Sequence, residues 1–321
     1  MKMWRFILKR ILQTIPLLVI VSLISFFIIR LSPVDPLAEL RLNPSISQET
    51  LQKEKSRLGL DKPIIVQYGL WAKSFVQGDL GVTSSGEKVS VKLAERIPNT
   101  LILTLIVIFM TWSVGVPLGI MGAIYNKSKL DRILTILSSV GMAIPSFFFA
   151  ILLLIFAVKS GLFPVGGLTS YNFNDLSFGG KIIDISRHLV LPVIVLFTIS
   201  LAGLQRQMRA NMLDVLDSDY IKFARAKGLS EFQVIFKHAL RNAINPMITL
   251  LGFEFAGLLS GAALTEYVFQ YPGLGRLILE AVMKSDINLV MASLMIGSIM
   301  LVLGNLIADI LLIITDPRVR G

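Results

Sequence analysis

Side chains that could support catalysis are scarce in this sequence of 321 residues. The two histidines, His188 and His238, lie far apart and form no H-E-x-x-H zinc motif. There is no cysteine, which excludes disulfides, iron–sulfur clusters and thiolate zinc sites. No Ser, His and Asp stand at a spacing typical of a hydrolase, so a membrane-embedded hydrolase is a poor alternative. We therefore predict no catalytic residue, no metal site and no cofactor bound by this chain.

Two carboxylates, Glu254 and Asp309, fall inside apolar runs. An ionised carboxylate in the middle of a bilayer costs about 2.5–3.5 kcal/mol, so each should face a bundle interior, a partner chain or water. Acids in such places can relay protons, and an ion- or proton-coupled secondary transporter is therefore an alternative function. Because no intramembrane histidine or lysine accompanies them, we expect Glu254 to be a structural, pathway-lining or inter-subunit group. Asp309 is expected to be a local hydrogen-bonding anchor.

Residues 205–245 form a polar segment with the pattern of a helical hairpin. Asp219 is placed to cap a helix ending at Lys227, and Gly228 follows in the C′ position, where glycine readily takes a positive φ. Ser230 then begins a second helix through an S-x-x-Q capping box. The apolar face of that helix consists of Phe232, Ile235, Phe236, Ala239, Leu240 and Ala243. The pattern predicts a projecting corner, either a docking knob or an interfacial hairpin without a partner.

Six long apolar runs must position this hairpin. Apolar residues make up 54% of the chain, charged residues 16%, and the mean hydropathy is +0.73, a balance typical of membrane proteins. The runs that could cross about 30 Å of hydrocarbon are Ile11–Ile29, Thr100–Ile124, Ile133–Val158, Leu189–Leu204, Pro246–Val268 and Ile287–Ile314. The fourth run is short and must recruit flanking residues. The sequence therefore predicts an all-α integral membrane protein with six transmembrane helices, rather than buried helices of a soluble core.

Basic residues indicate the orientation of the spans. With the N terminus inside, the inner segments carry an excess of Lys and Arg, whereas the two shorter outer loops carry few. Both termini and the 205–245 loop are then cytoplasmic, and the net charge of +10 reflects this inner face rather than nucleic-acid binding. The first run is too long for a signal peptide and no A-x-A site follows it, so we expect it to remain as an anchor.

Three regions follow from this topology: 1–30 with the first transmembrane helix, 31–99 as an extracytoplasmic loop, and 100–321 as the core with the other five helices. The outer loop is predicted to be structured. Ser47 can cap a helix ending at Gly59, and Pro63 can open a second helix. The apolar or interfacial face of that second helix consists of Ile64, Ile65, Tyr68, Trp71 and Phe75. The region is either a small cap on the outer face or a docking surface for an external partner.

The hairpin sequence Tyr220–Ser230, followed by His238–Ala243, resembles the inner-loop signature of ABC-importer permeases, most closely the branch for dipeptides, oligopeptides and nickel. The general signature is E-A-A, three residues, Gly, nine residues, I-x-L-P. Matched on Gly228, the chain keeps Ala224 and Leu240 and departs at Lys222, Phe223, His238 and Arg241. The His-Ala-Leu-Arg-Asn form is typical of the branch. Further motifs that resemble it are Gly78–Gly81, Glu95–Leu101, Tyr271–Arg276 and Asp316–Arg320.

The resemblance implies a multi-pass permease subunit of an ATP-driven importer in a bacterial cytoplasmic membrane. Its cargo would be dipeptides, oligopeptides or a related small solute such as nickel or a metal chelate, and the motifs do not decide among these. Implied partners are a second, homologous permease, two cytoplasmic ATPase subunits, an external solute-binding protein and membrane lipid. No G-x-x-x-x-G-K-[S/T] loop occurs here, so ATP and Mg would be bound by the ATPases.

The resemblance also assigns roles within the hairpin. The residues implied to couple to the ATPases are Ala224, Arg225, Ala226, Lys227, Gly228, Leu229 and Ser230. The residues implied to support the loop are Asp219, Leu240 and Arg241. In the family the short helix before the glycine is the coupling helix, which sits in a groove on an ATPase.

Overall fold

Helices make up most of the chain in a computed structural model that describes residues 3–31, 41, 47–57 and 61–315. They are α1 (Met3–Leu31), α2 (Gln48–Arg57), α3 (Ile64–Val76), α4 (Val89–Ile124), α5 (Lys129–Ala143), α6 (Ser146–Ser160), α7 (Phe178–Leu216), α8 (Asp219–Ala226), α9 (Leu240–Ala243), α10 (Asn245–Val268), α11 (Leu274–Met283) and α12 (Ile287–Thr315). A π-helical segment, Gln233–Ala239, precedes α9, and an isolated bridge joins Val82 to Lys88. The predicted helix end at Gly59 and the motif at 316–320 lie outside the described residues.

Four described helices are long and apolar enough to cross a membrane. They are Ile7–Leu31 within α1, α4, α7 and Ile287–Ile313 within α12. Large apolar side chains remain exposed along all four, as expected for helices that face lipid or partner chains. The prediction of a helical integral membrane protein is confirmed. The predicted span Pro246–Val268 lies within α10, which has 24 residues, and the count of six spans stays a prediction.

The third predicted span, Ile133–Val158, is wrong as one continuous helix. α5 ends at Ala143, α6 begins at Ser146, and the two are bent by 95°. Pro145 explains the break, because a residue before proline is driven into extended backbone, and Ile144 has φ −86° and ψ 120°. The pair forms a fifth span if the two helices cross the membrane as one broken unit.

The short fourth run lies within a helix that extends beyond it at both ends, as expected. α7 has 39 residues and begins at a cap in which Ser177 Oγ accepts a hydrogen bond from Gly180 N at 3.3 Å. Its C-terminal extension includes residues 205–216, so the polar connection to α10 begins at Asp217 rather than at the predicted Gln205. This connection ends with α9 and is called the α8 hairpin (residues 217–243).

α4 and α7 form the centre of the bundle through close backbone contact. A Cβ on Gly119 would lie 2.6 Å from Met208 Cβ, and a Cβ on Gly115 would lie 3.0 Å from Leu204 Cδ2. Side chains larger than hydrogen would therefore push the helices apart. α10 closes a buried cluster with these helices, formed by Leu103, Val107, Leu189, Val193, Leu196, Leu258 and Ala262 together with Tyr271.

α12 packs on α10 and carries α1 on its outer surface. A Cβ on Gly252 in α10 would lie 2.6 Å from Asn305 Oδ1 in α12. Arg10 of α1 contacts Asp309 of α12 through Nε at 3.0 Å and Nη2 at 3.1 Å. These contacts place the start of α1, the end of α12 and the start of α10 at the same end of the bundle as the α8 hairpin. We call this end the hairpin side.

Candidate functional site

The first arm of the α8 hairpin begins one residue earlier than predicted. Ser218, not Asp219, is the N-cap residue of α8, with an extended backbone at φ −67° and ψ 149°. Asp219 is the first helical residue, where a carboxylate favours the positive end of the helix dipole. Its carboxylate also lies 3.6 Å from Lys222 Nζ. The predicted cap is therefore wrong by one position, because Ser218 already has the backbone of a cap.

The corner itself has the predicted geometry. Gly228 has φ +80°, which confirms the expected left-handed conformation. Its N–H donates to Arg225 O at 2.9 Å, and Leu229 N–H donates to Ala224 O at 3.4 Å. These bonds satisfy the last carbonyls of α8, as in a glycine-terminated helix end. A Cβ at position 228 would meet no atom within 4 Å, so the glycine is required by backbone conformation and not by crowding.

The second arm departs from the predicted α-helix. Ser230 Oγ accepts a hydrogen bond from Gln233 N at 3.4 Å, which is one of the two bonds of a capping box, but residues Gln233–Ala239 are π-helical. A π-helix changes the angular spacing of side chains. Ile235 and Ala239 are buried, whereas Phe232, just before this segment, and Phe236 within it are 71% and 45% exposed. These two phenylalanines of the predicted apolar face are therefore not packed on the bundle, and they contact each other with ring centroids 4.7 Å apart.

An ion pair joins the two arms. Arg225 Nε lies 2.8 Å from Glu231 Oε1, a contact that the sequence analysis did not identify. Both side chains border a cleft of about 700 Å³. Its lining also includes Ala123, Ile124, Asn126, Leu213, Asp214, Leu216, Asp217 and Ile235. The cleft lies between the hairpin and the ends of α4 and α7.

The base of the hairpin is fixed firmly to the bundle. Ile221 and Ala224 of α8 are buried against a cluster that includes Met208 and Met212 of α7. Asn211 Nδ2 in α7 donates to Ala243 O at 3.3 Å. The outer surface is exposed at most of the residues implied to couple: Arg225, Ala226, Lys227, Gly228 and Ser230. Of the implied support residues, Leu240 is partly buried and Arg241 is exposed. The hairpin thus presents a polar corner on a rigid base.

A clamp between α5 and α7 lies next to this base. Arg209 Nε donates to Asp131 Oδ1 at 2.6 Å, and its Nη2 donates to Asp131 Oδ2 at 2.8 Å and to Asn126 Oδ1 at 3.1 Å. Asp131 is only 4% exposed and also accepts from Lys127 N at 2.9 Å. No local sequence pattern indicates this pair, since its two residues are far apart in the chain. The clamp links the turn between α4 and α5 to the helix that carries the hairpin.

Glu254 and Asp309 have different partners and lie outside the hairpin. Trp112 Nε1 in α4 donates to Glu254 Oε2 at 2.7 Å, so Glu254 connects α4 with α10 inside the chain. Asp309 has the expected anchoring contact, with Arg10 of α1. These separate partners do not form a relay between the two acids. A pathway-lining or inter-subunit role for Glu254 stays a prediction.

A third intramembrane acid, Glu266, was missed. It is fully buried near the end of α10 and accepts hydrogen bonds from Thr100 Oγ1 at 2.7 Å and Arg276 N at 2.9 Å. Thr100 Oγ1 in turn accepts from Leu274 N at 2.7 Å. A Cβ on Gly273 would lie 2.2 Å from Glu266 Oε1. The signal in the sequence is an acid at the end of an apolar run, followed by Tyr-Pro-Gly-Leu-Gly-Arg.

Tyr271 extends the same cluster beyond α10. Its hydroxyl donates to Asn99 O at 2.8 Å, and Asn99 Nδ2 donates to Pro272 O at 2.8 Å. Burial, and secondly the nearby Glu266 carboxylate, raise the pKa of Tyr271 above its usual value. The phenol therefore stays protonated and keeps its donor. Together these bonds hold α11 across the ends of α4 and α10, on the side opposite the hairpin.

One Ser, Asp and His cluster forms on this opposite side. Ser170 Oγ donates to Asp184 Oδ1 at 2.5 Å, and His188 Nδ1 lies 3.8 Å from the same carboxylate oxygen. The hydroxyl is thus bonded to the carboxylate rather than to the imidazole, which is the wrong order for activating a serine nucleophile. The cluster holds the loop before α7 in place.

Comparison with known proteins defines the class. Residues 115–321 match the sequence profile of the family described as binding-protein-dependent transport system inner membrane component, and residues 3–104 match the profile of the N-terminal part of such components. The chain belongs to this family of membrane permeases.

Individual relatives cover nearly the whole chain. It is 41% identical to the oligopeptide transport system permease protein AppB of Bacillus subtilis, over 98% of this chain and 99% of the relative. It is 34% identical to the dipeptide transport system permease protein DppB of Escherichia coli, over 99% of both chains. Among solved structures, the inward-facing MetNI methionine ABC transporter matches with a TM-score of 0.56 and 17% identity. That match covers 71% of this chain and 97% of the other, and it supports the fold.

Proposed function

We propose that this chain is the membrane permease subunit of an ATP-driven importer for peptides. The names of its relatives give the substrate class, since they are described as oligopeptide and dipeptide permeases. The chain is a multi-pass membrane protein without an enzymatic role of its own, and the ATPase is a separate subunit. A second permease, two ATPases and an external solute-binding protein complete the importer, with ATP and Mg bound by the ATPases.

The α8 hairpin is the proposed contact with an ATPase, and one observation carries this proposal: a polar, exposed corner stands on a buried base. Ala224 lies in the base, whereas Arg225 and Lys227 project from the corner. Asp219 and Arg241 are also exposed on the hairpin and are proposed to support the contact. The orientation inferred from basic residues puts the hairpin in the cytoplasm, where ATP is available.

Transport would then follow from rigid-body motion of the helices that hold the hairpin. ATP binding draws the two ATPases together, and each hairpin moves with its ATPase. Because the hairpin base is packed on α7, and Arg209 joins α7 to α5, the displacement is transmitted to the bundle rather than absorbed locally. The helices rock between states open to either side, as alternating access requires.

ATP dependence separates this proposal from a secondary transporter. The test is uptake of a labelled dipeptide or tetrapeptide by proteoliposomes that contain the chain with its partner subunits and binding protein. We expect uptake when ATP and Mg are present on the side of the membrane where the ATPases lie, and no uptake from a proton or sodium gradient alone. The matched control is an ATPase subunit with its phosphate-binding lysine replaced. Gradient-driven uptake by this chain alone would overturn the proposal.

Orientation can be tested separately, because the natural chain has no cysteine. Single cysteines at Asp219, in the hairpin, and at Ser85, in the turn before α4, are exposed positions. We expect an impermeant thiol reagent to label Ser85→Cys in intact cells and Asp219→Cys only after the cells are opened. The reverse pattern would remove the hairpin from the cytoplasm and contradict the coupling role.

A further inference from the structure

α3 has apolar side chains on two faces, and only one face has a partner within the described chain. Tyr68 and Trp71 on the first face contact Phe26 of α1, with ring centroids 5.5 and 6.2 Å from it. Tyr68 Oη also lies 2.9 Å from Ser22 Oγ. The second face consists of Ile65, Val66, Gly69, Leu70, Lys73 and Val76, all exposed. Four of these are large apolar residues, and Val76 is 85% exposed.

The depth of α3 follows from its contacts with α1. The membrane-crossing stretch of α1 ends at Leu31, and Arg30 is its last charged residue. At 1.5 Å per residue, Phe26 lies about 6 Å and Ser22 about 12 Å before Arg30 along the helix axis. The aromatic face of α3 therefore reaches α1 below the end of its span, and not above it.

The surface of α1 at this depth is also apolar and exposed. Ile24 is 54% exposed and Ile28 is 65% exposed, on the face of α1 that points away from Phe26 and α3. In a helix that crosses a membrane, such a surface is covered by lipid chains. The second face of α3 lies at the same level, because the first face of this helix contacts Ser22 and Phe26. Tyr68 and Trp71 then lie just inside the membrane interface, near which these two residue types are enriched.

We propose that α3 is an interfacial helix in the leaflet opposite the hairpin, with Ile65, Val66, Leu70 and Val76 buried among the lipid chains. The ligand of this face is the lipid surface, and α3 acts as a second anchor beside α1. Lys73 is the single charged side chain on the helix, long enough to extend its ammonium group to the headgroups. On this proposal, the exposed face of α3 contacts lipid and is not the docking surface for an external partner that the sequence of the 31–99 region left open.

Nitroxide labels at single cysteines can test where the face lies. The chain with its partner subunits is placed in nanodiscs of phosphatidylcholine and phosphatidylglycerol, with labels at Val66 or Leu70. The lipid reference is a label at Ile24, and the water reference is a label at Ser85. Collision of each label with oxygen, which concentrates in lipid, is compared with collision with a water-soluble nickel chelate. Size-exclusion profiles of the nanodiscs, and peptide uptake by the same labelled complexes in proteoliposomes, confirm that each labelled chain is assembled.

We expect Val66 and Leu70 to resemble Ile24, with oxygen collision several-fold above that of the chelate, and Ser85 to show the reverse ratio. Labels at Val66 and Leu70 that resemble Ser85 would place the face in water and overturn the proposal. Low collision with both reagents would mean that a protein chain covers the face, which would overturn it as well. Either result leaves the proposed transport function intact, since that function does not depend on α3.

Discussion

Replacement of Gly228 by valine is the sharpest test of the hairpin, because the structure isolates one physical effect. Gly228 has φ +80°, and a Cβ there would meet no atom within 4 Å. The Cβ of valine therefore causes no overlap with neighbouring atoms, and the expected cost comes from the backbone conformation. A left-handed conformation costs an L-residue about 1–2 kcal/mol, and a β-branched residue falls at the upper end. About 2 kcal/mol corresponds to a roughly 30-fold loss in the population of the native corner.

The same strain can be introduced elsewhere as a matched control. Gly161 ends α6 with φ +66° and also has no atom within 4 Å of a Cβ position, but it lies on the side opposite the hairpin. We expect Gly228→Val to reduce recovery of the ATPases with the purified chain and to reduce ATP-driven peptide uptake. Gly161→Val should have a similar backbone penalty without losing the ATPases. Gly228→Asn should retain more function than valine, because asparagine tolerates the left-handed conformation.

Membrane level and thermal stability are measured for all three variants, so that a defect in insertion is separated from a defect in coupling. Equal ATPase recovery and equal uptake in Gly228→Val and the natural chain would refute the coupling role of Ala224–Ser230. Loss of ATPases in Gly161→Val to the same degree would refute the argument too, since the effect would then be general instability.

Two further substitutions test the contacts that brace the bundle. Arg209→Ala removes the ion-pair partner of the Asp131 carboxylate. Because Arg209 is 26% exposed and Asp131 keeps its hydrogen bond from Lys127 N, we expect a loss of about 1–3 kcal/mol in folding free energy. The double variant with Asp131→Ala should recover part of this loss in a thermal or denaturant melt. Gly273→Ala places a methyl group 2.2 Å from Glu266 Oε1, and overpacking of this kind costs about 1–3 kcal/mol. The control is Gly179→Ala, where a Cβ meets nothing within 4 Å. No difference between these two alanine variants would contradict the described cradle around Glu266.

Local sequence rules predicted the parts of the structure that local physics decides. The positive φ of Gly228 followed from its place after a short helix. Ser47 caps α2 as expected, with Thr50 N–H donating to its Oγ at 3.2 Å. The aromatic face of α3 followed from the spacing of Tyr68 and Trp71 along one side of a helix.

Local sequence rules could not predict the features that depend on tertiary contacts. A single apolar run does not reveal that Pro145 breaks it by 95°, because prolines 98, 117 and 192 are accommodated inside helices. The π-helical segment Gln233–Ala239 was not predicted, because π-helices are rare and the sequence pattern indicated an α-helix. The Arg209–Asp131 clamp joins residues that are remote in sequence. The burial of Glu266 depends on its contact with Thr100, which is also remote in sequence.

The length of α7 determines how movement at one end is scaled at the other. Its 39 residues measure about 58 Å at 1.5 Å per residue, nearly twice the ~30 Å hydrocarbon core. If such a rod pivots near the end where Asp184 holds the preceding loop, a tilt of ~5° moves its far end by ~5 Å, about one helical turn. A helix that pivots in this way would convert a small tilt into a much larger displacement at the hairpin. A small tilt of the membrane-embedded part of α7 therefore corresponds to a displacement of the hairpin that is comparable to the size of a side chain.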